Sequence, residues 1–187
     1  MSGPDVLQSG PDVARRVPRR LLVVAGLLAV LVAAGDRWQL HRETTALVRC
    51  VENGQAQIGY SVGRVAAVLQ YASPQLYGAS TPARVRDSLA QVVRSTATEQ
   101  LGPLAAERRR CERGQLVPWH SAQRRARNAY LAYLAAGGRQ LLAIANQADE
   151  QGGTSGDVER RRRAARDALV AALPAARRDE VRRLLSP

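Results

Sequence analysis

Residues 40–72 read LHRETTALVRCVENGQAQIGYSVGRVAAVLQYA. From Leu40 the positions Thr44, Leu47, Val51, Gln55, Ile58, Val62, Val65, Leu69 and Ala72 recur at intervals of three or four, a heptad-like seam interrupted only at Gln55. Such a stripe predicts one long amphipathic helix that ends before Pro74. Composition agrees: of the 45% apolar residues most are Ala, Leu and Val, only seven are aromatic and Phe is absent, which favours helix over sheet. All 28 basic residues are Arg, a bias that GC-rich codon usage imposes, so the net charge of +12 is partly mutational in origin.

Working outward toward the N-terminus, the uncharged run Leu21 to Gly35 follows Arg15-Arg16-Val17-Pro18-Arg19-Arg20. Its span of about 22 Å as a helix is short of the ~30 Å hydrocarbon core and long for a signal-peptide core. Two outcomes stay open. Arg19 and Arg20 can snorkel, Trp38 can sit at the far interface and Leu40 extends the apolar reach, giving an uncleaved anchor. Small residues at Val32-Ala33-Ala34 and Ala33-Ala34-Gly35 also permit cleavage after Ala34 or Gly35. The anchor is the preferred reading, because no helix breaker separates the run from the seam. Four Arg within six residues place the N-terminus in the cytoplasm. The expected organisation is a basic cytoplasmic tail over 1–20, a single-pass anchor or signal over 21–40, and an extracytoplasmic helical domain over 41–187.

Toward the C-terminus, Ser80-Thr81-Pro82 offers an N-cap and a first-turn Pro for a second helix with Val85, Leu89, Val92 and Thr96 on one face. Gly102-Pro103 should kink or divide it, and Gly114 with Pro118 closes it. A third helix is expected from Pro118 or Trp119 to about Gln151, with a soft point at Gly137-Gly138. Residues 152–156 read as a loop, Asp157 as the cap of a fourth helix, and Pro174 as the break before a short terminal piece. Short connections between long helices favour antiparallel neighbours. The fold expected is therefore all-α, an antiparallel up-down-up-down four-helix bundle whose first helix is continuous with the membrane anchor.

Motifs for chemistry are weak. Gly59-Tyr60-Ser61-Val62-Gly63 matches the G-x-S-x-G nucleophile elbow, but it lies in mid-helix without the strand-to-turn context that exposes such a Ser. Gly59 and Gly63 read better as a small face where another helix approaches closely, extended loosely by Gly54. His41 and Cys50, like Cys111 and His120, are nine residues apart, which sets each pair on opposite helix faces and disfavours a metal site. No cofactor motif is present. The Arg runs 108–110 and 160–163 could suit phosphates, but export argues against nucleic acid and nearby acids make them solvated faces.

Export does favour a disulfide between Cys50 and Cys111, the sole pair. The two helices would have to absorb a six-residue mismatch counted from Pro74 and Thr81; an intermolecular bridge and two free thiols are the rival outcomes. The expected membrane-proximal base carries 14 Arg against 7 carboxylates, the rest of the exported part 10 against 7. Arg108, Arg109, Arg110, Arg113, Arg124, Arg125, Arg177 and Arg178 are thus candidates for anionic lipid headgroups. In architecture only, the layout resembles the anchored helical-bundle ectodomains of bacterial envelope and sensor proteins. The function expected is a non-enzymatic, membrane-tethered scaffold without cofactors that contacts an envelope protein or its own copy. Its alternatives are a ligand-sensing bundle acting through a partner and a cleaved secreted protein.

Overall fold

The computed structural model describes residues 19–145 and 153–186, and these form helices without a strand among them: α1 Arg19–Leu76, α2 Ala83–Arg113, α3 Ser121–Ala145, α4 Gly153–Ala172 and α5 Ala175–Leu184. The chain divides into two compact units, Met1–Gln39 and Leu40–Pro187, with the boundary inside α1. The expected tail falls, apart from Arg19 and Arg20, outside the described residues, as does any extension of α3 toward Gln151.

In the first unit α1 is apolar and bare. Leu22, Val23, Val24, Leu27, Leu28, Val30, Leu31 and Val32 are each more than half exposed. This helix is long and apolar enough to cross a membrane.

In the second unit Leu47, Val48, Val51, Val65, Ala72 and Leu76 bring the seam of α1 inward. Val62 departs from it: the valine is 40% exposed and Ser61 is buried in its place, where its hydroxyl meets Gln100 Oε1 at 3.4 Å and accepts from Gln57 Nε2 at 3.2 Å. The helix also runs past Pro74. Near a C-terminus a missing N–H costs one bond, and the carbonyl it would have served, Gln70 O, is taken by Ser73 Oγ at 3.0 Å.

Of the kink or division expected at Gly102-Pro103 the division does not occur: α2 is continuous there, and both residues are exposed. Its buried stripe is Val93, Ala97, Gln100, Leu104, Glu107 and Cys111, a strict four-three heptad. Of the expected face Thr96 is buried and Leu89 packs beside Val93, while Val92 is half exposed and Val85 40%, Val93 taking the inward place of Val92. Pro82, not Thr81, flanks the helix start and no side-chain cap bond forms.

α3 begins at Ser121, after a turn, and continues through Gly137-Gly138. α4 begins at Gly153, so Asp157 is an internal residue rather than a cap; it pairs with Arg160, Arg161 and Arg139.

Cross-helix contacts fix directions. Cys50–Cys111, Ser61–Gln100 and the packing of Ala72 and Leu76 on Val93 make α2 antiparallel to α1. Tyr130 Oη donates to Val51 O at 3.1 Å, and a Cβ at Gly137 would lie 3.8 Å from Ile58 Cδ1, so α3 runs parallel to α1. Arg139–Asp157 and Gln123 Nε2 to Ala172 O turn α4 antiparallel to α3. α5 then folds back, seating Val181 and Leu185 in the core shared with Leu47, Val51, Tyr130 and Leu169.

The disulfide is formed, with the Cα atoms 5.5 Å apart. The six-residue mismatch shrinks to two, because α1 ends at Leu76, 26 residues beyond Cys50, and α2 starts at Ala83, 28 before Cys111.

Candidate functional site: the Leu40 end of the second unit

Glu43 lies four residues before Leu47 and eight before Val51, on the buried side of α1. A carboxylate there needs partners, and the turn between α2 and α3 supplies them. Its Oε1 accepts from the Val117 N–H at 2.7 Å and its Oε2 lies 2.6 Å from His120 Nδ1. Glu43 is 2% exposed and His120 8%. The other end of the turn is held by Arg127 Nη1, which donates to Gly114 O at 2.6 Å.

Trp119 is therefore presented by a turn pinned on both sides. It is 71% exposed and packs edge-on against His120, with ring centroids 6.2 Å apart. Sequence reasoning missed this arrangement, since it weighed His120 only as a metal ligand. The legible signal was a charged residue on an apolar stripe.

The eight arginines proposed for lipid separate into two sets. Arg108 pairs with Glu112, Arg110 with Glu107 and Arg177 with Glu180, while Arg178 Nε donates to Leu173 O at 3.0 Å. Arg177 holds the Glu180 carboxyl below the usual carboxylate range. Arg109, Arg113, Arg124 and Arg125 make no side-chain hydrogen bond or ion pair among the described residues. These four stand in the last turn of α2 and the first turns of α3, on either side of Trp119 in the chain.

Among the described residues no helix closely approaches Gly59 or Gly63, for a Cβ at either would meet nothing within 4 Å. Close approach happens at Gly54 instead, where a methyl group would overlap the Tyr130 hydroxyl. Burial pushes that phenol far above its ordinary range.

Chemically, the Leu40 end offers an exposed indole and unpaired guanidinium groups. Ser61 is buried and 18 residues beyond Glu43 along α1, about 27 Å away, so the His120–Glu43 pair has no help from it. Among the described residues no group of three or more His, Cys, Asp or Glu gathers as a metal site. A groove of about 450 Å³ opens between α2 and α3, lined by Arg108, Glu112, Arg127, Asn128, Leu131 and alanines. Its cations are already engaged by Glu112 and by the Gly114 carbonyl. Comparison with protein families, curated proteins and solved structures finds no match, so the functional reading rests on these residues alone.

Proposed function

We propose that this chain is a non-catalytic, membrane-tethered domain of a bacterial envelope. In this reading residues 21–40 are an uncleaved single-pass anchor with a cytoplasmic N-terminus, α1–α4 make an up-down-up-down bundle outside the membrane, and the Leu40 end rests on anionic lipid. The observation that carries it is Trp119, exposed in the turn whose flanking helix ends hold Arg113, Arg124 and Arg125, at the end of the unit where the chain continues into the apolar helix. Indole prefers the headgroup region, and each well-placed Arg near an anionic surface contributes on the order of 1 kcal/mol, screened by salt.

The test uses the full chain carrying Trp38→Phe, which leaves Trp119 as the reporter. Reconstituted into vesicles containing phosphatidylglycerol, its emission is expected at shorter wavelength than in neutral phosphatidylcholine, with the difference removed by high salt. Identical emission in both rejects lipid contact. Recovery of the parent protein in the soluble fraction, starting at Gly35 or Asp36, rejects the tether and favours the secreted alternative.

A further inference from the structure

Between Glu52 and Arg84 the chain carries a single charged residue, Arg64, in a protein that is 24% charged overall. Much of this stretch lies on the surface. Gly59, Tyr60, Gly63, Ala67, Gln70 and Tyr71 follow one another at positions that share a side of α1, opposite the stripe formed by Ser61, Val65 and Ala72. All six are exposed; Tyr71 is 85% exposed and Tyr60 58%. Among the described residues nothing comes within 4 Å of a Cβ at Gly59 or Gly63. An aromatic, uncharged helix side of this length facing water is a cost that an isolated domain has no reason to carry.

We infer that this side of α1 is the contact surface for a second copy of the same chain, with the two α1 helices side by side. Charge selects the occupant. With a net charge of +12, two copies meeting through most other faces bring arginine against arginine, whereas here they meet without opposing charges and leave Arg64 on the flank. An acidic partner would find no cation in the middle of this face to recognise. The face is also self-complementary: with Gly59, Gly63 and Gln70 nearest the two-fold axis, Tyr60 and Tyr71 of each copy cover the small residues of the other.

Area sets the strength. At the observed exposures the two tyrosines offer about 300 Å² per copy, and with the exposed small residues between them the pair buries at most on the order of 1,000 Å², the lower bound for a specific interface. Such a dimer is weak in dilute solution and gains from confinement to one surface. Its parallel orientation rests on the tethered reading; the face itself does not.

The experiment uses the full chain in cell membranes, co-expressed with two different tags. A Gly63→Cys variant, at a position with room for a side chain, is oxidised and compared with Ala164→Cys, an exposed site on α4. The expected result is a cross-linked species at twice the 20.2 kDa chain mass carrying both tags, at least tenfold more abundant for Gly63→Cys. Adding Tyr71→Arg to the Gly63→Cys chain should abolish it, with helicity by circular dichroism unchanged. Equal or absent cross-linking, or a product of another mass, overturns the proposal. Specific cross-linking of protein found in the soluble fraction keeps the dimer face and removes the tether.

Discussion

The two ends of the second unit are held by different numbers of helices. Near Leu40 one core takes Leu47 and Val51 from α1, Cys111 from α2, Tyr130 and Leu134 from α3, Leu169 and Leu173 from α4, and Val181 and Leu185 from α5. At the far end Ala72 and Leu76 of α1 have only Val93 and the partly buried Leu89 and Ala90 of α2 to pack against. Between them, Val65, Ala97, Leu104 and Leu141 form a core of three helices. Stability within one fold follows local burial, so the far hairpin belongs to the low-stability end and opens first in hydrogen exchange. Charge follows the same course, since the crowded end carries most of the arginines, whereas α1 between Glu52 and its end at Leu76 carries only Arg64. The end with least packing inside is the one with most apolar surface left for a partner.

Removing the disulfide should have the largest effect. Cys50 and Cys111 are 61 residues apart in sequence and close a loop that contains the whole thin hairpin, for which chain entropy gives about 4 kcal/mol, reduced if the unlinked chain keeps hairpin structure. A Cys50→Ala/Cys111→Ala chain should lose about that much in urea unfolding, and reductant should have no further effect on it. A loss under about 1 kcal/mol would mean that the unfolded hairpin already holds the two helices together.

Next comes Glu43. Glu43→Ala takes the carboxylate from the part-buried Val117 N–H and the buried His120 ring, worth about 3 kcal/mol together. It should also free the turn, seen as red-shifted and more quenchable Trp119 emission in a Trp38→Phe background. If stability falls while Trp119 stays as it was, Arg127 alone holds the turn and Glu43 serves only the core.

How much of this was legible follows the same division. The helices, their order and the cysteine pairing could be read because periodicity, Pro and Gly positions and a sole Cys pair are local or combinatorial signals. Register was harder. Val92 and Val93 are adjacent and equally apolar, and the choice of Val93 is made by Gln100 and Glu107 sitting inside, which no apolar count anticipates. Ser61 displaces Val62 for a similar reason, a partner 39 residues away. The Glu43–His120 pair spans 77 residues, so its geometry exists only once α2 has returned the chain. Helix ends moved by one to four residues at Pro74, Pro82 and Gly153, where an alternative donor or a tolerated first turn outweighs the breaker.

Glycines give a sharper contrast at smaller cost. Gly54→Ala drives a methyl into the Tyr130 hydroxyl and should destabilise by about 2 kcal/mol, because the phenol is buried and bonded to Val51 O. Gly59→Ala and Gly63→Ala meet nothing and should each stabilise by roughly 0.5 to 1 kcal/mol through helix propensity. Thermal melts of the three variants decide it. If Gly54→Ala is neutral, α3 can retreat from α1, and the packing near Leu40 is looser than its burial implies.

The smallest effect expected concerns the link between α3 and α4. Arg161, then Arg139 and Arg160, hold the Asp157 carboxyl below its ordinary range, and the Arg139 contact is the one that crosses between helices. A depressed folded-state pKa stabilises above the unfolded value near 3.9 and loses that contribution as pH falls through the folded value. Asp157 is open to solvent, so screening keeps the gain small. Asp157→Asn should therefore melt slightly below the parent at neutral pH, and the two should converge as pH falls through the folded value and Asp157 loses its charge. A gap that persists in acid assigns the effect to helix-start propensity instead of charge. A gap that closes at high salt but not in acid would contradict the depressed pKa, because screening alone would then account for it.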